Sequence, residues 1–317
     1  MRVTDLINSS KKTAFSFEVL PPLKGNGLEK VFQTIDTLRE FDPKYINITT
    51  HRSDVTYKTM ENGLYRQVVE RKRPGTVAVA AAIKNNYNIP AVPHVICSGF
   101  TKSEIEYMLI DLNFLEIHDL LLLRGDKSKN ESVFSSVTDG HQYAVELQEQ
   151  VNRFNEGLFL DGSKMDVAGP SFTYGVAGYP EKHEEAPNLD SDMNFLKAKV
   201  DAGAEYIVTQ MFFDNAKFFE FVDRCRKAGI QVPIIPGLKP ITSINQLSVL
   251  PKIFHVDIPE IFAAELRKCK TAEEAKQVGV EWGIQQAREL IAQNVPSIHF
   301  YTLNATQSVK KIAKEVY

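Results

Sequence analysis

The chain is poor in cysteine, and that scarcity makes the first exclusions. Cys97, Cys225 and Cys269 stand far apart, with no C-x-x-C and no paired spacing. Neither a disulfide framework nor a thiolate metal site is spelled out, and a reduced, cytoplasmic chain is the expectation. Long apolar runs are missing too. Met1 to Asp5 lead into polar residues rather than a signal core. The longest weakly polar run, Thr76 to Ile83, is too short to span a bilayer. No one sign of charge dominates: 37 Lys and Arg stand against 40 Asp and Glu, a net charge of −3. That balance argues against nucleic acid or a membrane surface as partner. The dinucleotide fingerprint is absent, because Gly25-Asn26-Gly27 follows Pro21-Pro22 and lacks the third glycine. There is no P-loop, and no serine lies in a G-x-S-x-G elbow. No metal is expected: His183 with Glu181, Glu184 and Glu185 reads better as a solvated helix entry than as a ligand cluster.

What is present is an alternation. Short apolar runs at Ala14 to Leu20, Tyr45 to Thr50, Ala91 to Cys97, Asp119 to Leu123, Thr173 to Tyr179, Tyr206 to Phe213, Val232 to Ile235 and Ser297 to Leu303 read as eight strands. Their consecutive apolar positions suit strands covered on both faces. Between most of them lie amphipathic helical patterns. One is Leu28, Val31, Phe32, Ile35 and Leu38; another carries Phe218, Val222 and Cys225 inward and ends at Gly229. Thr101 to Glu104 and Thr271 to Glu274 are capping boxes that open helices. Asp192 to Ala202 reads as a helix, with Asp192 a candidate N-cap. The segment between the second and third strands is less regular and partly basic. Eight β/α alternations favour a parallel (β/α)₈ TIM barrel over an open α/β sheet. No boundary, repeat or low-complexity tract interrupts residues 1–317, which read as a single domain. An apolar helix face that packs on the barrel and one that packs on a second copy read alike, so a homo-oligomer stays open.

In such a barrel the chemistry gathers at the C-terminal ends of the strands. The polar residues there are Glu18, Thr49-Thr50-His51, His94, Arg124-Gly125-Asp126, Tyr179 to His183, Gln210 and Lys239. Each has a plain alternative. Glu18 would serve as half of a buried ion pair, His94 as a core histidine, Arg-Gly-Asp as a turn, Gln210 as packing beside Phe212 and Phe213, and Lys239 as a solvated rim lysine. Lys239, after Pro236-Gly237-Leu238, also carries a hint of Schiff-base chemistry in an aldolase-type barrel. A ligand-binding module without turnover is the non-enzyme reading.

Taken in order, the motifs resemble the methylenetetrahydrofolate reductase family. Phe17-Glu18 before Pro21-Pro22 is similar to its F-E-x-x-P-P, and Leu121 to Asp126 to its A-L-R-G-D. Ala177 to His183 resembles A-x-Y-P-E-x-H, and Lys197 to Ala204 resembles K-x-K-V-D-A-G-A. Thr209 to Asp214 looks like T-Q-x-F-F-D, Ile235 to Pro240 like I-P-G-x-x-P, and His299 to Asn304 like H-F-Y-T-L-N. The resemblance implies a bound FAD, touched by Thr49, His94, Arg124, Gly125, Asp126, Tyr143, Ala144, Tyr179, His183, Asp192 and Lys199. It implies reduction of 5,10-methylenetetrahydrofolate to the 5-methyl form with NADH or NADPH as donor, NADH by analogy with short members. That product supplies methyl groups for methionine synthesis. By the same resemblance Glu18 is the general acid and Asp126 the carboxylate near flavin and pterin. Gln210 and Gln246 are then folate contacts.

Three departures stand out. Thr49-Thr50-His51-Arg52 replaces a glycine-rich turn, Lys127-Ser128 replaces Pro-Pro after R-G-D, and Ala305 stands where some relatives carry an arginine for the folate glutamate tail. Lys239 is the nearest candidate by strand position for that missing cation. The chain is expected to lack the C-terminal regulatory domain of larger relatives, and so to ignore S-adenosylmethionine.

Overall fold

The computed structural model describes residues 2–127, 131–167, 169–303 and 305–317. Ser128 and Asn304, each part of a motif above, lie outside the described residues. The eight expected strands are all present: β1 (Ala14–Val19), β2 (Tyr45–Ile48), β5 (Ala91–Ile96), β6 (Asp119–Leu123), β7 (Thr173–Gly178), β8 (Tyr206–Met211), β9 (Ile234–Leu238) and β10 (Ser297–Phe300). They close into a barrel in the order β1-β10-β9-β8-β7-β6-β5-β2. The remaining pair, β3 (Asp54–Thr59) and β4 (Tyr65–Glu70), forms a separate antiparallel hairpin. It occupies the stretch that looked irregular in sequence. Its alternation went unread because no position on either strand is buried; Tyr57, Tyr65 and Val69, on one face, are exposed. The barrel strands β1, β2, β5 and β9 are buried at every position, as strands covered on both faces must be.

Helices alternate with the strands. They are α1 (Val3–Ser9), α2 (Glu29–Leu38), α3 (Thr76–Tyr87), α4 (Lys102–Phe114), α5 (Ala144–Asn155), α6 (Leu189–Asp201), α7 (Asn215–Lys227), α8 (Gln246–Phe254), α9 (Glu260–Lys268), α10 (Ala272–Ala292) and α11 (Thr306–Val316). Both capping boxes form. Thr101 Oγ1 accepts from the Glu104 N–H at 3.2 Å, and Thr271 Oγ1 from the Glu274 N–H at 3.1 Å. Helix α7 is followed by Gly229 at φ +81°, the left-handed position that favours glycine. Its buried residues are Phe218, Phe221 and Cys225, so Phe221 takes the inward place expected of Val222. The N-cap of α6 is Asn188, whose side chain accepts from the Ser191 N–H at 2.8 Å. Asp192 lies one turn further in, which corrects the N-cap reading and leaves its carboxylate for other work.

The residues fall into two compact units. One comprises Met1–Val19, Gln33–Asn47 and Thr173–Tyr317, the other Leu20–Phe32 and Ile48–Phe172. In the first, a core of Met211, Phe213, Ile241, Leu250, Phe262 and Leu266 gathers α8, α9 and α10 behind the tips of β8 and β9. Trp282 stacks on Phe262 with ring centroids 4.4 Å apart and donates its indole N–H to the Phe213 carbonyl at 3.0 Å. In the second unit β5 and β6 pair in parallel, His94 beside Leu121.

One close approach fixes α10 against the end of β9. A Cβ on Gly279 would stand 1.9 Å from the Ile241 carbonyl oxygen, a backbone atom with little room to yield. Gly279→Ala is expected to cost roughly 1–3 kcal/mol or more by overpacking, read as a lower denaturant midpoint at unchanged slope. An unshifted midpoint would show that the two segments part freely.

Candidate active site

The parallel ladders of the first unit set its chemistry in rows. Phe17 pairs with Phe300, and Phe300 with Leu238. One residue on, Glu18, Tyr301 and Lys239 therefore share the next rung and turn to the opposite face from those three apolar side chains. Glu18 is 4% exposed and Lys239 9% exposed, so the solvated-rim reading of Lys239 does not hold. Burial pushes the Lys239 ammonium below the usual lysine range, and the Glu18 carboxylate pushes back up. The Tyr301 phenol is driven well above its ordinary value, first by burial, then by the charges of Glu18 and Tyr179. Its hydroxyl donates to the Thr209 carbonyl at 2.7 Å. The ring reaches there by passing over Gly237, where a Cβ would meet it at 2.6 Å. Thr302 donates its hydroxyl to the Glu18 carbonyl and ties the tips of β1 and β10 together. One row deeper, Ser16 and His299 are buried side by side with Oγ and Nδ1 3.2 Å apart.

A register slip on β8 between Val208 and Met211 marks where Gln210 leaves the ladder. Gln210 is half-buried and folds its own carbonyl back onto the Met211 N–H at 2.9 Å. Gln246 uses its carbonyl as a loop staple, accepting from the N–H groups of Thr242 and Ser243 at 2.6 and 3.2 Å. Only its amide nitrogen remains for a ligand. Ala305 is buried just before α11.

Beside the tip of β7 the same unit has a cleft lined by Tyr179, Asp192, Met193, Lys199, Phe221 and Arg224, among others. Lys199 donates to the Ala177 carbonyl at 2.6 Å and sits 5.9 Å from the centre of the Tyr179 ring. Tyr179 packs edge-on against His183 at 4.7 Å, and Asp192 accepts from the His183 N–H at 3.2 Å. Arg224 donates to the Pro180 carbonyl at 2.9 Å. Two cations and an aromatic ring thus converge on one cleft, chemistry that suits a phosphate-bearing ligand. Sequence reasoning missed Arg224, because its helix was read only for its apolar face.

The second unit holds the other expected contacts. Thr49 Oγ1 and His94 Nε2 are buried with no hydrogen-bond partner among the described residues. Such atoms call for a ligand or a water. Burial, helped by the charge of His51, pushes His94 down to about 3, so it is neutral at pH 7. At the end of β6 the R-G-D turn is docked by Ser98, whose hydroxyl donates to the Asp126 carbonyl at 2.6 Å. Gly125 has φ +81°, and a Cβ there would stand 2.9 Å from Ser98, so the turn requires glycine twice over. Asp126 is exposed, and the Arg124 guanidinium lies 4.6 Å from the centre of the Phe134 ring. Tyr143 is the N-cap of α5 and Ala144 its first residue; Tyr143 is 55% exposed, and its carbonyl lies 3.6 Å from the Cys97 thiol. In place of the glycine-rich turn, Arg52 reaches the Ser98 hydroxyl at 3.3 Å and pairs with Glu131 at 3.8 Å.

Glu181 is half-buried and takes the Asp257 N–H on both carboxylate oxygens at 3.1 Å. Burial raises its pKa to about 7, with the Asp257 and Asp214 charges adding and Lys217 opposing. A carboxyl raised on folding stabilises the fold below its unfolded value near 4.5, and that contribution is lost as pH climbs through about 7. Glu181→Gln keeps the acceptor oxygen but not the charge. Its Tm is therefore expected to fall less than that of the parent between pH 4.5 and 7; parallel Tm curves would discard this assignment.

The methylenetetrahydrofolate reductase family profile matches residues 2–317. A relative from Arabidopsis thaliana named methylenetetrahydrofolate reductase (NADH) 1 is 30% identical over 97% of this chain, and the chain spans 49% of that protein. The chain thus covers about half the length of the plant relatives it matches. The 5,10-methylenetetrahydrofolate reductase of Escherichia coli is 29% identical over 92% of this chain and 86% of its own length. Among solved structures, an uncharacterised Clostridium thermocellum protein described as binding two copies of 5-methyl-5,6,7,8-tetrahydrofolic acid shares the fold at a TM-score of 0.60. Its identity is 14%, with 99% and 98% of the two chains covered. With the barrel, the motifs and this full-length match in hand, the chain belongs to the methylenetetrahydrofolate reductase family.

Proposed function

We propose that the chain reduces 5,10-methylenetetrahydrofolate to 5-methyltetrahydrofolate, with NADH as the electron source and FAD as the bound carrier. The product would feed methyl transfer to methionine. The observation that carries this reading is Glu18, a carboxyl buried at the C-terminal end of β1 in a chain of this family. FAD fits the residues present. The unpartnered Thr49 Oγ1 and neutral His94 Nε2 offer hydrogen-bonding capacity to a polar ring edge. Lys199 and Arg224, in the cleft beside Tyr179, offer positive charge to a pyrophosphate without a glycine-rich turn.

FAD, when bound, would supply the hydride chemistry that links NADH to the one-carbon unit. The protein supplies the rest. The bridging carbon accepts hydride poorly while held between two nitrogens. A proton from Glu18 to N10 breaks the C–N10 bond and leaves an iminium at N5. Hydride addition then gives the N5-methyl group, and Glu18 regains its proton from solvent. Net, one NADH and one proton are consumed. By the family resemblance Asp126 would be a carboxylate that favours a cationic iminium and disfavours negative charge on the reduced carrier. Gln210 and the amide nitrogen of Gln246 would hold the folate. An aldolase-type reading of Lys239 gains no support from the family match.

The purified protein is expected to be yellow, with a flavin band at about 450 nm; a colourless preparation that keeps no band after incubation with FAD and removal of the unbound flavin by gel filtration would sink the cofactor assignment. Glu18→Gln should leave flavin reduction by NADH intact and slow the folate half-reaction by roughly 10²–10⁴-fold. Equal losses in both halves would refute the general-acid role.

A further inference from the structure

We propose that Lys239 is a positioning residue for Glu18, its ammonium setting through space how readily that carboxyl parts with its proton. This rests on the general-acid reading above and replaces the glutamate-tail contact expected from the sequence. The geometry is that of one rung. Phe17, Phe300 and Leu238 are in register across β1, β10 and β9, so Glu18 and Lys239 stand one residue further on, flanking Tyr301. Their backbones are two strand spacings apart, roughly 10 Å, and across that span the Glu18 charge acts on Lys239. Tyr301 lies between them in the ladder but gives its phenolic proton to Thr209 on β8, so it does not satisfy the carboxylate with that proton.

Behind Lys239, α9, α10 and α11 contribute Phe262, Trp282, Gln286 and Ile312, none of them charged. Lys239 itself makes no hydrogen bond or ion pair among the described residues. The titratable groups of this unit that face the rung are Glu18 from β1, Tyr179 after β7, and His299 and Tyr301 from β10. Of these, Glu18 is the one whose charge reaches Lys239 appreciably. A glutamate tail carries its own carboxylates outward into water. A lysine 9% exposed is poorly placed to follow it and well placed to act on a buried acid.

The functional consequence concerns proton supply. A cation near a carboxyl favours its ionised form. Lys239 would therefore make Glu18 a stronger acid toward N10 and, after transfer, stabilise the carboxylate left behind. It would also narrow the alkaline range over which Glu18 still holds a proton. Such coupling is mutual: whatever Lys239 does to the titration of Glu18, Glu18 does in the opposite sense to that of Lys239.

Two measurements test this. In Lys239→Met, the alkaline limb of the folate half-reaction should move up by roughly one pH unit, while the limb in Lys239→Arg stays with the parent and flavin reduction by NADH is unchanged in both. Separately, competitive acetylation with acetic anhydride, followed by mass spectrometry across pH, reads the Lys239 amine without any substrate. Its midpoint should fall in Glu18→Gln, because the stabilising carboxylate is gone. An unmoved midpoint overturns the proposal whatever the kinetics show. A Lys239→Met variant changed only in its KM for folate also overturns it, and returns the residue to tail binding. A moved midpoint in a protein with no folate turnover would leave the coupling standing and remove the proposed function instead.

Discussion

Strand β10 is held between β1 and β9, and much of the chemistry of the first unit follows from the register of those two ladders. Once Phe300 sits beside both Phe17 and Leu238, alternation along each strand decides which neighbours face outward to the helices and which face the opposite way. An acid, a phenol and an amine are brought onto one row by backbone hydrogen bonds alone. A slip of one residue in β10 would exchange Tyr301 for Phe300 on that row and dissolve the arrangement. The Thr302 hydroxyl on the Glu18 carbonyl and the Tyr301 hydroxyl on the Thr209 carbonyl act as side-chain pins on that register just beyond the last ladder bonds.

The barrel was legible because its strands are short apolar runs punctuated by proline, glycine and capping boxes, signals that survive without any tertiary information. Thr101 and Thr271 cap helices where their spacing said they would. The β3–β4 hairpin escaped notice because its alternation has no buried face to sharpen it. Helix α3 was hidden in an apolar run, Thr76 to Ile83, that lacks a polar stripe. Helices α8 and α9 were obscured by Pro251 inside one and Pro259 before the other. Asp192 was read as a cap because an acidic residue heads many helices, yet Asn188 occupies the position that a cap needs.

The site divides along the same line. Glu18, Asp126 and the cleft residues Tyr179, Asp192 and Lys199 were nominated by motif as candidates. Arg224, Tyr301 and Ser98 were not, since nothing in their local sequence sets them apart. Their roles arise only when β7 meets α7, β10 meets β8, or the R-G-D turn meets the end of β5. Lys239 was noticed, and of its readings the solvated rim falls: strand-end position suggested water, and the packing of α9, α10 and α11 behind it supplied apolar cover instead.

The chain contains one tryptophan, and its surroundings are unusually well defined. Trp282 lies flat on Phe262, bonds to the Phe213 carbonyl and borders the same apolar pocket as Lys239. Tryptophan emission from this protein, excited at the red edge where its 11 tyrosines do not absorb, is therefore a single-site signal. It reports the docking of α10 and α9 behind the tips of β8 and β9. A melting curve followed by emission describes that one docking, and agreement with circular dichroism becomes a measure of whether the two units unfold as one.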